Sequence, residues 1–500
     1  MHTILPVGRY YNQGVTAISC SIWRKKSLNE LLEAKETSRL ARSLGPVDLV
    51  SLGIGAIIGT GIFVLTGVAA AQYAGPALIL SFVLSGIAAG LAALTYAELA
   101  AMIPVAGSAY TYAYASLGEF TAWIVGWNII LEYLVAAGAV AIGWSAYLSE
   151  LFHSMGIILP AALTRSPAAG GFVNLPAVLI ALLVTLLVTT GTRESATVNR
   201  IVVAVKVGVV LLFIFLGAPH VKPVNWQPFL PYGYAGIAHG AAIIFFAYIG
   251  FDAVATAAEE TRRPQRDLPI GIIGSLAVCT TLYILVTAVL TGLVPYSQLN
   301  VASPVATALL KAGITWAGGL VALGALAGIT SVLLVVIYAQ TRVFYAMSRD
   351  GLLPGFLSRV HAKFRTPYIN TLIVGAGVAV LAGFIPIDII AQLANIGTLT
   401  AFVIVAAGVL VLRKTNPEAP RPFKVPFSPY LPLLSLALSL YLIISLPPLT
   451  WVRFVVWMAV GVVLYFFHGY RRSVLAPAGQ RLRWSILAPP AAKRAPRRED

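Results

Sequence analysis

Charged residues are scarce in this sequence, and their scarcity excludes most soluble folds. Only 10% of the 500 residues are Asp, Glu, Lys or Arg, whereas charged residues make up about 25% of an ordinary soluble domain. Hydrophobic residues account for 59% of the chain, and the mean hydropathy is +0.86. A water-soluble protein could not cover that much apolar surface, so the composition predicts a polytopic membrane protein.

Cysteine is also rare, and no familiar catalytic or metal-binding motif is present. The two cysteines, Cys20 and Cys279, are far apart, and Cys279 lies in an apolar run, which argues against a disulfide framework. No His/Cys cluster has the spacing of metal ligands, and no nucleophile–base motif is found. We therefore expect neither an enzyme nor a cofactor-dependent protein.

Long apolar runs are abundant, and they predict an all-α fold of twelve transmembrane helices. A membrane-spanning helix needs about 20 mostly apolar residues. Segments that meet this requirement lie near 47–73, 76–103, 120–150, 172–191, 197–217, 235–259, 268–294, 316–347, 370–385, 387–412, 429–447 and 451–470. We number these predicted spans 1 to 12.

The basic residues are unevenly distributed between the predicted loops. Loops on the side of the two termini contain fourteen of them, and the opposite loops contain four. Because cytoplasmic loops are enriched in Lys and Arg, both termini are predicted to be cytoplasmic. The basic tails are adjacent to membrane spans, so we expect them to face anionic lipid rather than nucleic acid.

The order of the spans suggests two structural repeats with terminal extensions. Residues 46–217 contain spans 1–5 and residues 218–412 contain spans 6–10, and an odd number of helices gives the two halves opposite orientations. Spans 11 and 12 follow in residues 413–470. Residues 1–45 include a predicted amphipathic interfacial helix, and residues 471–500 form a basic cytoplasmic tail.

Two of the predicted spans contain residues that disfavour a continuous helix. Span 1 reads GIGAIIGTGIF over residues 53–63, and glycine costs about 1 kcal/mol relative to alanine at each interior helix position. Span 6 reads AIIFFAYIGFDAVATAAEE, in which Gly250 and Asp252 interrupt an aromatic run. Non-helical backbone at membrane depth is tolerated where it lines a cavity. Interruptions at matching places in two halves indicate the substrate site of a transporter.

The predicted break in span 1 is centred on Gly59, Thr60 and Gly61. Unwinding there frees backbone N–H groups at the start of a half-helix, and these donors, together with the helix dipole, suit a carboxylate. Freed carbonyl groups in span 6 suit an ammonium group. The two breaks therefore predict an amino-acid clamp made of backbone atoms, whereas we expect Gly53 and Gly67 to serve close helix packing.

A few charged residues lie inside the predicted spans and are candidate functional groups. Lys206 in span 5 is the only base deep within a span. Its depth makes it a candidate for proton exchange, with a permanently paired structural lysine as the alternative. Glu132 in span 3 and Asp252 in span 6 are candidates to pair with Lys206, to neutralise a basic substrate, or to form structural pairs.

Four segments of the sequence resemble one family of transporters. They are GIGAIIGTGIFVLTGVAA, YAELAAMIPVAGSAYTYAY, FFAYIGFDAVATAAEE and QTRVFYAMSRDGLLP. They are similar to motifs of the cationic amino acid transporter family in the amino acid–polyamine–organocation (APC) superfamily, in particular of its twelve-span bacterial members. The resemblance covers roughly residues 27–470. It implies the LeuT-type five-plus-five inverted repeat with helices 1 and 6 broken, in the bacterial inner membrane.

The resemblance also implies a substrate site made of the two breaks. N–H groups around Thr60 and Gly61 would bind the substrate carboxylate, and carbonyl groups of both breaks would bind its amino group. The implied substrate-binding residues are Ile57, Gly59, Thr60, Gly61, Phe246, Ala247 and Ile249. Among these, Phe246 matches the aromatic gate of the family.

The resemblance further implies that a proton, rather than sodium, is the coupling ion. Lys206 matches a lysine that, in proton-coupled relatives, occupies the sodium position of sodium-coupled relatives. The carbonyl of Gly55 and the hydroxyl of Ser331 are its candidate partners. A small single-span membrane protein is a candidate partner of the whole chain.

The side-chain pocket bears on the substrate class. Residues of span 8 near Val336 and Ile337 are the expected floor of this pocket, and they are apolar and of medium size. The sequence therefore favours a proton-coupled importer of neutral L-amino acids such as alanine. Transport or exchange of basic amino acids (arginine, lysine, ornithine) is the alternative, and a non-transporting amino-acid sensor is a third hypothesis.

Overall fold

The computed structural model of the protein describes residues 22–26, 43–105, 107–191, 196–364 and 366–476. The predicted amphipathic helix before span 1 and most of the predicted basic tail lie outside these residues. The regular structure of the described residues is helical. The prediction of an all-α protein is confirmed for this part of the chain.

Helices of eight residues or more, labelled in chain order, form the framework of the fold. They are α1 (Pro46–Ile57), α2 (Leu78–Met102), α3 (Ser108–Ser116), α4 (Glu119–Ser154), α5 (Leu175–Thr189), α6 (Ala196–Gly217), α7 (Gly233–Ile244), α8 (Pro264–Leu293), α9 (Pro304–Lys311), α10 (Thr315–Arg349), α11 (Tyr368–Phe384), α12 (Ile387–Thr415), α13 (Tyr430–Ile444) and α14 (Pro448–Leu464). The short helical turns around the two breaks are Gly61–Leu65, Thr66–Ala69, Ala70–Ala74, Phe245–Tyr248 and Ala253–Thr256. Predicted spans 3, 5, 7, 8 and 10 correspond to α4, α6, α8, α10 and α12.

Eight helical stretches of the described chain are long and apolar enough to cross a membrane. They are Gly61–Met102, Glu119–Ser154, Arg200–His220, Gly233–Thr256, Pro264–Leu293, Thr315–Arg349, Ile387–Thr415 and Pro448–Arg472. Shorter apolar helices (α1, α5, α11 and α13) occupy the other predicted spans. Every predicted span thus contains apolar helix, and the count of twelve crossings and the inverted repeat remain predictions.

Helices from both halves of the chain pack closely against one another. The long helix α4 packs against α10 and α12, and α8 packs against α1 and α2. A Cβ atom added to Gly53 of α1 would overlap Ser275 of α8, and one added to Gly67 would overlap Leu299 and Pro304. Glycine is therefore required for these contacts, and the predicted packing role of Gly53 and Gly67 is confirmed.

The outer helices expose apolar side chains, as a lipid-facing surface requires. On α14, Val452, Val455 and Val456 are 58%, 58% and 59% exposed. The polar residue Thr450 of the same helix is buried, and its hydroxyl donates a hydrogen bond to Gln392 of α12 at 2.7 Å. This distribution is the reverse of that in a soluble helix, because lipid solvates apolar groups and leaves polar ones to pair inside the bundle.

Candidate substrate site

The first helical break begins one residue earlier than predicted and is shorter. Helix α1 ends at Ile57, and Ile58 has an extended conformation (φ −72°, ψ 103°). Thr60 already has helical torsion angles (φ −55°, ψ −27°), and the N–H of Phe63 donates to the carbonyl of Gly59 at 3.3 Å. The non-helical segment is therefore 58–59 rather than 59–61, and the first N–H groups of the following half-helix have no helical acceptor.

The second break lies where the sequence predicted it. Helix α7 ends at Ile244, a 3-10 turn covers Phe245–Tyr248, and Ile249 is extended (φ −62°, ψ 135°). Gly250 has a φ of 121°, which residues with a Cβ atom rarely adopt. A Cβ there would also lie 2.9 Å from the carbonyl carbon of Ala56. Glycine is thus needed for the backbone turn and for the approach of the two breaks.

The two breaks contact each other directly. Gly61 lies so close to Ala247 that a Cβ atom on Gly61 would overlap the Ala247 backbone. Gly59 has more room, since a Cβ there would lie 3.2 Å from Cγ2 of Val332 on α10. Gly61 therefore allows the close approach of the two breaks, whereas a Cβ atom at Gly59 would require only a small shift of the Val332 side chain.

Seven of the predicted residues line one cavity between the breaks, α4 and α10. They are Ile57, Gly59, Thr60, Gly61, Phe246, Ile249 and Val336. Ala247 is not among the lining residues of this cavity. The predicted residues therefore form a single pocket at the breaks, and the assignment of individual groups to a carboxylate or an amino group remains a prediction.

One face of α4 and one face of α10 also line the cavity, and the sequence did not predict the residues of these faces named here. They are Tyr133, Ala136 and Val140 of α4 and Val332, Val335 and Ala339 of α10. Their spacing of three or four residues places each set on one side of its helix. Sequence alone could not distinguish these sides, because nearly every side of the two spans is apolar.

Two side chains bind carbonyl groups that the end of α1 leaves without helical donors. Lys206 of α6 donates from Nζ to the Gly55 carbonyl at 2.6 Å. Tyr283 of α8 donates from its hydroxyl to the Ile57 carbonyl at 3.0 Å. The contact with Gly55 confirms the partner predicted for Lys206, whereas Tyr283 was missed because a lone tyrosine in an apolar span carries no motif.

Lys206 lies at the junction of α1, α6 and α10. It is fully buried, and its stem packs against Gly328 of α10, where a Cβ atom would lie 2.9 Å from Lys206 Cγ. Ser331, the other predicted partner, donates to the Gly328 carbonyl at 3.2 Å. Lys206 therefore ties α1 to α6 by a buried hydrogen bond, of a kind that is stronger from a charged donor than from a neutral one.

Glu132 and Asp252 are buried beside the cavity, behind its lining residues. The Tyr133 hydroxyl donates to Asp252 Oδ2 at 2.9 Å. Glu132 packs beside Gly397 of α12, and the two carboxyl groups are close enough to interact electrostatically. Neither is among the lining residues, although Asp252 lies directly behind one of them, Tyr133.

Phe245 and Phe246 are adjacent aromatic residues with different surroundings. Phe246 lines the cavity and packs in one cluster with Ile390 and Ala391 of α12. Phe245 is fully buried, and its ring centroid lies 5.9 Å from that of Phe402. Phe246 is therefore part of the cavity wall, whereas Phe245 belongs to the core.

We expect different consequences from truncating these two rings. Phe246→Ala should lower the transport rate by about tenfold, because the cavity loses its cover, a change worth roughly 1.4 kcal/mol. Phe245→Ala should lower thermal stability instead, since a large-to-small core substitution costs about 3–5 kcal/mol. Uptake and thermal unfolding of both purified variants test this, and equal losses of transport would remove Phe246 as the gate.

An all-helical membrane protein with a cavity between two interrupted helices has the architecture of a membrane transporter. Comparison with known proteins supports this class. The model of the family described as amino acid permease matches residues 44–470. The chain therefore belongs to the amino acid permease family of the APC superfamily.

Similar proteins are transporters from bacteria and plants. The branched-chain amino acid permease BcaP of Bacillus subtilis (strain 168) is 51% identical over 461 residues, which cover 91% of this chain and 99% of that protein. The methylthioribose transporter of the same organism is 49% identical over 457 residues, with coverage of 91% and 99%. The vacuolar cationic amino acid transporter 4 of Arabidopsis thaliana is 40% identical over 408 residues, with coverage of 80% and 68%. The chain is thus a transporter rather than an enzyme.

Proposed function

We propose that the protein is a proton-coupled symporter that imports neutral L-amino acids through the cavity at the two breaks. The apolar wall of the cavity is the observation that supports this substrate class best. Ala136, Val140, Val332 and Val336 surround the space for a side chain, and the lining of this cavity includes no charged residue. A basic side chain would lose its hydration there without meeting a charged residue of the lining, at a cost of several kcal/mol.

The proposed division of labour follows from the chemistry of the walls. Backbone N–H groups at Thr60 and Gly61 bind the carboxylate, and carbonyl groups of both breaks bind the amino group, so the clamp recognises what all amino acids share. The side chains of α4 and α10 then select by size and polarity. Backbone recognition favours this role because its donors are fixed by the fold and lose little entropy on binding.

Lys206 is the proposed proton carrier of this symporter. With its proton, it donates a charge-assisted hydrogen bond to Gly55 and holds α1 against α6 and α10. After the proton leaves for the cytoplasm, the neutral amine holds α1 less firmly, and the site opens inward. Because the ammonium group already supplies the positive charge at this junction, sodium is not required. We also propose that the chain lies in the cell membrane with both termini in the cytoplasm.

The names of the relatives bear on the substrate in different ways. BcaP is named for branched-chain amino acids, whose side chains suit a wall of valines and alanines, and alanine suits the same wall more loosely. The plant relative is named for cationic amino acids, which the apolar wall disfavours. The methylthioribose transporter is named for a sugar derivative, so that compound belongs in any substrate test.

Competition with labelled valine uptake in proteoliposomes tests the substrate class. Alanine, valine, leucine and isoleucine should compete at saturating concentration, whereas arginine, lysine and methylthioribose should not. Strong competition by arginine or lysine would contradict the assignment to neutral substrates. Competition by methylthioribose alone would identify a different cargo in the same cavity.

The size of the accepted side chain should depend on Val336. We expect Val336→Ala to improve competition by leucine or methionine relative to alanine by about fivefold, since a larger pocket buries one or two more methylene groups at about 0.8 kcal/mol each. Ile337 is fully buried and is not among the lining residues, so the prediction that it forms part of the pocket floor is wrong. Ile337→Ala is therefore the matched control. An equal change of selectivity in both variants would contradict this assignment.

A further inference from the structure

Asn395 of α12 holds the end of α7 with two hydrogen bonds. Its Nδ2 donates to the carbonyl of Ala242 at 2.7 Å and to the carbonyl of Ile243 at 2.9 Å. Because α7 ends at Ile244, these carbonyl groups belong to the last turn before the second break, where helical donors run out. Asn395 is fully buried, and its Oδ1 has no hydrogen-bond partner among the described residues.

The same arrangement is present at the first break. Lys206 donates to Gly55, two residues before the end of α1 at Ile57. Asn395 donates to Ala242, two residues before the end of α7. Helices α6 and α12 correspond to predicted spans 5 and 10, the last helices of the two proposed repeats. Each break is thus held by a donor from the fifth helix of its own half.

The two donors differ in their chemistry. The ammonium group of Lys206 can give up a proton, whereas a side-chain amide does not titrate in the physiological range. The position of Asn395 also differs, because Phe246 follows the turn that Asn395 binds. Phe246 packs in one cluster with Ile390 and Ala394 of α12, so the same helix supports the phenyl ring and holds the backbone that carries it.

We propose that Asn395 is the positioning residue of the outer gate and the uncharged counterpart of Lys206. By fixing α12 to the last turn of α7, it keeps Phe246 closed over the cavity from the external side. Closure of this gate then depends on packing and on the substrate, while the inner gate depends on the proton of Lys206. This inference rests on the proposed transport function.

Asn128 of α4 provides a matched control. It is fully buried, its Nδ2 donates to the carbonyl of Gly397 on α12 at 2.6 Å, and its Oδ1 also lacks a partner among the described residues. It therefore joins α12 to a neighbour by the same chemistry, but the neighbour is α4 and not the gate helix. Loss of this side chain should weaken the bundle without opening the cavity to the outside.

External accessibility of the cavity is the property to measure. A cysteine introduced as Val140→Cys, which lines the cavity, is labelled in closed vesicles by a membrane-impermeant thiol reagent added outside. Asn395→Ala should speed this labelling by about tenfold, which corresponds to about 1.4 kcal/mol. Asn128→Ala should label at the wild-type rate, and Lys206→Ala should label more slowly, because its inner side opens instead.

A second variant separates the hydrogen bonds from the volume of the side chain. Asn395→Asp keeps the shape, and its carboxyl group can donate to a carbonyl only when it is protonated. Acid slows thiol labelling in every variant because the thiolate is the reactive form, so the labelling rate of Asn395→Asp is divided by that of Asn395→Ala at the same pH. This ratio should be near one at neutral pH and should fall as the pH falls. If Asn395→Ala does not fold, the protein with Val140→Cys alone is the reference: Asn395→Asp should label faster than this reference at neutral pH, and the difference should shrink as the pH falls.

The proposal is overturned if Asn395→Ala labels at the wild-type rate, if Asn128→Ala gains accessibility to the same extent, or if acid slows the labelling of Asn395→Asp no more than that of its reference variant. Failure of the transport function is a separate result. A wild-type protein that moves no amino acid in proteoliposomes would overturn the proposed function, while the labelling rates would still report on the gate.

Discussion

Lys206→Ala is expected to abolish proton-driven accumulation of substrate while leaving substrate binding measurable. Lys206 is the buried ammonium group that joins α6 to the Gly55 carbonyl at 2.6 Å and packs on Gly328 of α10. Its contacts are with α1 and α10, whereas the proposed substrate clamp uses other backbone atoms. Removing the ammonium group therefore removes the proposed site of the coupling proton and leaves the proposed clamp in place.

The loss should appear as a change in the driving force rather than only in the rate. In vesicles with an inward proton gradient, the wild type should concentrate substrate, and Lys206→Ala should only equilibrate it. In the proposed cycle Lys206 releases its proton on the cytoplasmic side, so the wild-type rate should fall as the internal pH is lowered, and the variant should lose this dependence. The measurement is uptake of labelled valine against internal and external pH, with and without sodium.

Two controls separate charge from volume and from position. Lys206→Met keeps the length of the side chain and its packing on Gly328, and it should behave like Lys206→Ala. Lys311→Ala removes a lysine at the end of α9 that donates to Gln298 at 3.0 Å, and it should behave like the wild type. If Lys206→Ala still accumulates substrate with an unchanged pH profile, Lys206 is structural, and Glu132 and Asp252 become the next candidates for the coupling proton.

Gly59→Leu is expected to weaken substrate binding by at least about 100-fold, or roughly 2.7 kcal/mol, in a protein that still folds. Gly59 lines the cavity, and a Cβ atom there would lie 3.2 Å from Cγ2 of Val332. A leucine side chain would therefore occupy the space between the first break and α10, beside the proposed carboxylate donors. Gly61 is unsuitable for this test because any side chain there would overlap the Ala247 backbone.

Gly90→Leu is the matched control for this substitution. Gly90 lies on α2, and a Cβ atom there would meet nothing within 4 Å. Both variants replace a glycine by leucine, but only Gly59→Leu places the new side chain in the cavity. Binding to the purified proteins, followed by calorimetry, should be lost in Gly59→Leu and kept in Gly90→Leu. Wild-type affinity in a folded Gly59→Leu would rule out the clamp at the first break.

The positions of the two breaks could be predicted from sequence because few residues tolerate non-helical backbone inside a membrane. Gly250 has a φ of 121° and approaches Ala56, so the glycine and the break coincide. At the first break, Gly59 suffices for the irregular segment, and Thr60 already resumes the helix. The run of three small residues therefore suggested a longer break than the one that forms, since Gly61 serves contact with Ala247 instead.

The contacts between distant helices could be predicted only where a charge drew attention. Lys206 stands out in an apolar span, and its partner Gly55 followed from the resemblance to a family. Asn395 and Tyr283 make similar bonds to the ends of broken helices. A neutral residue in a span gives no comparable signal, because buried asparagine and tyrosine commonly satisfy any nearby carbonyl.

Proton movement that accompanies substrate entry is the most direct test of the proposed mechanism. The experiment uses proteoliposomes that contain a pH-sensitive dye and have no imposed pH gradient. Valine is added outside in the presence of a potassium ionophore. We predict that the lumen acidifies as valine enters, that sodium does not alter the response, and that Lys206→Ala shows valine entry without acidification. Saturable valine uptake by the wild type with no change in internal pH would contradict proton symport.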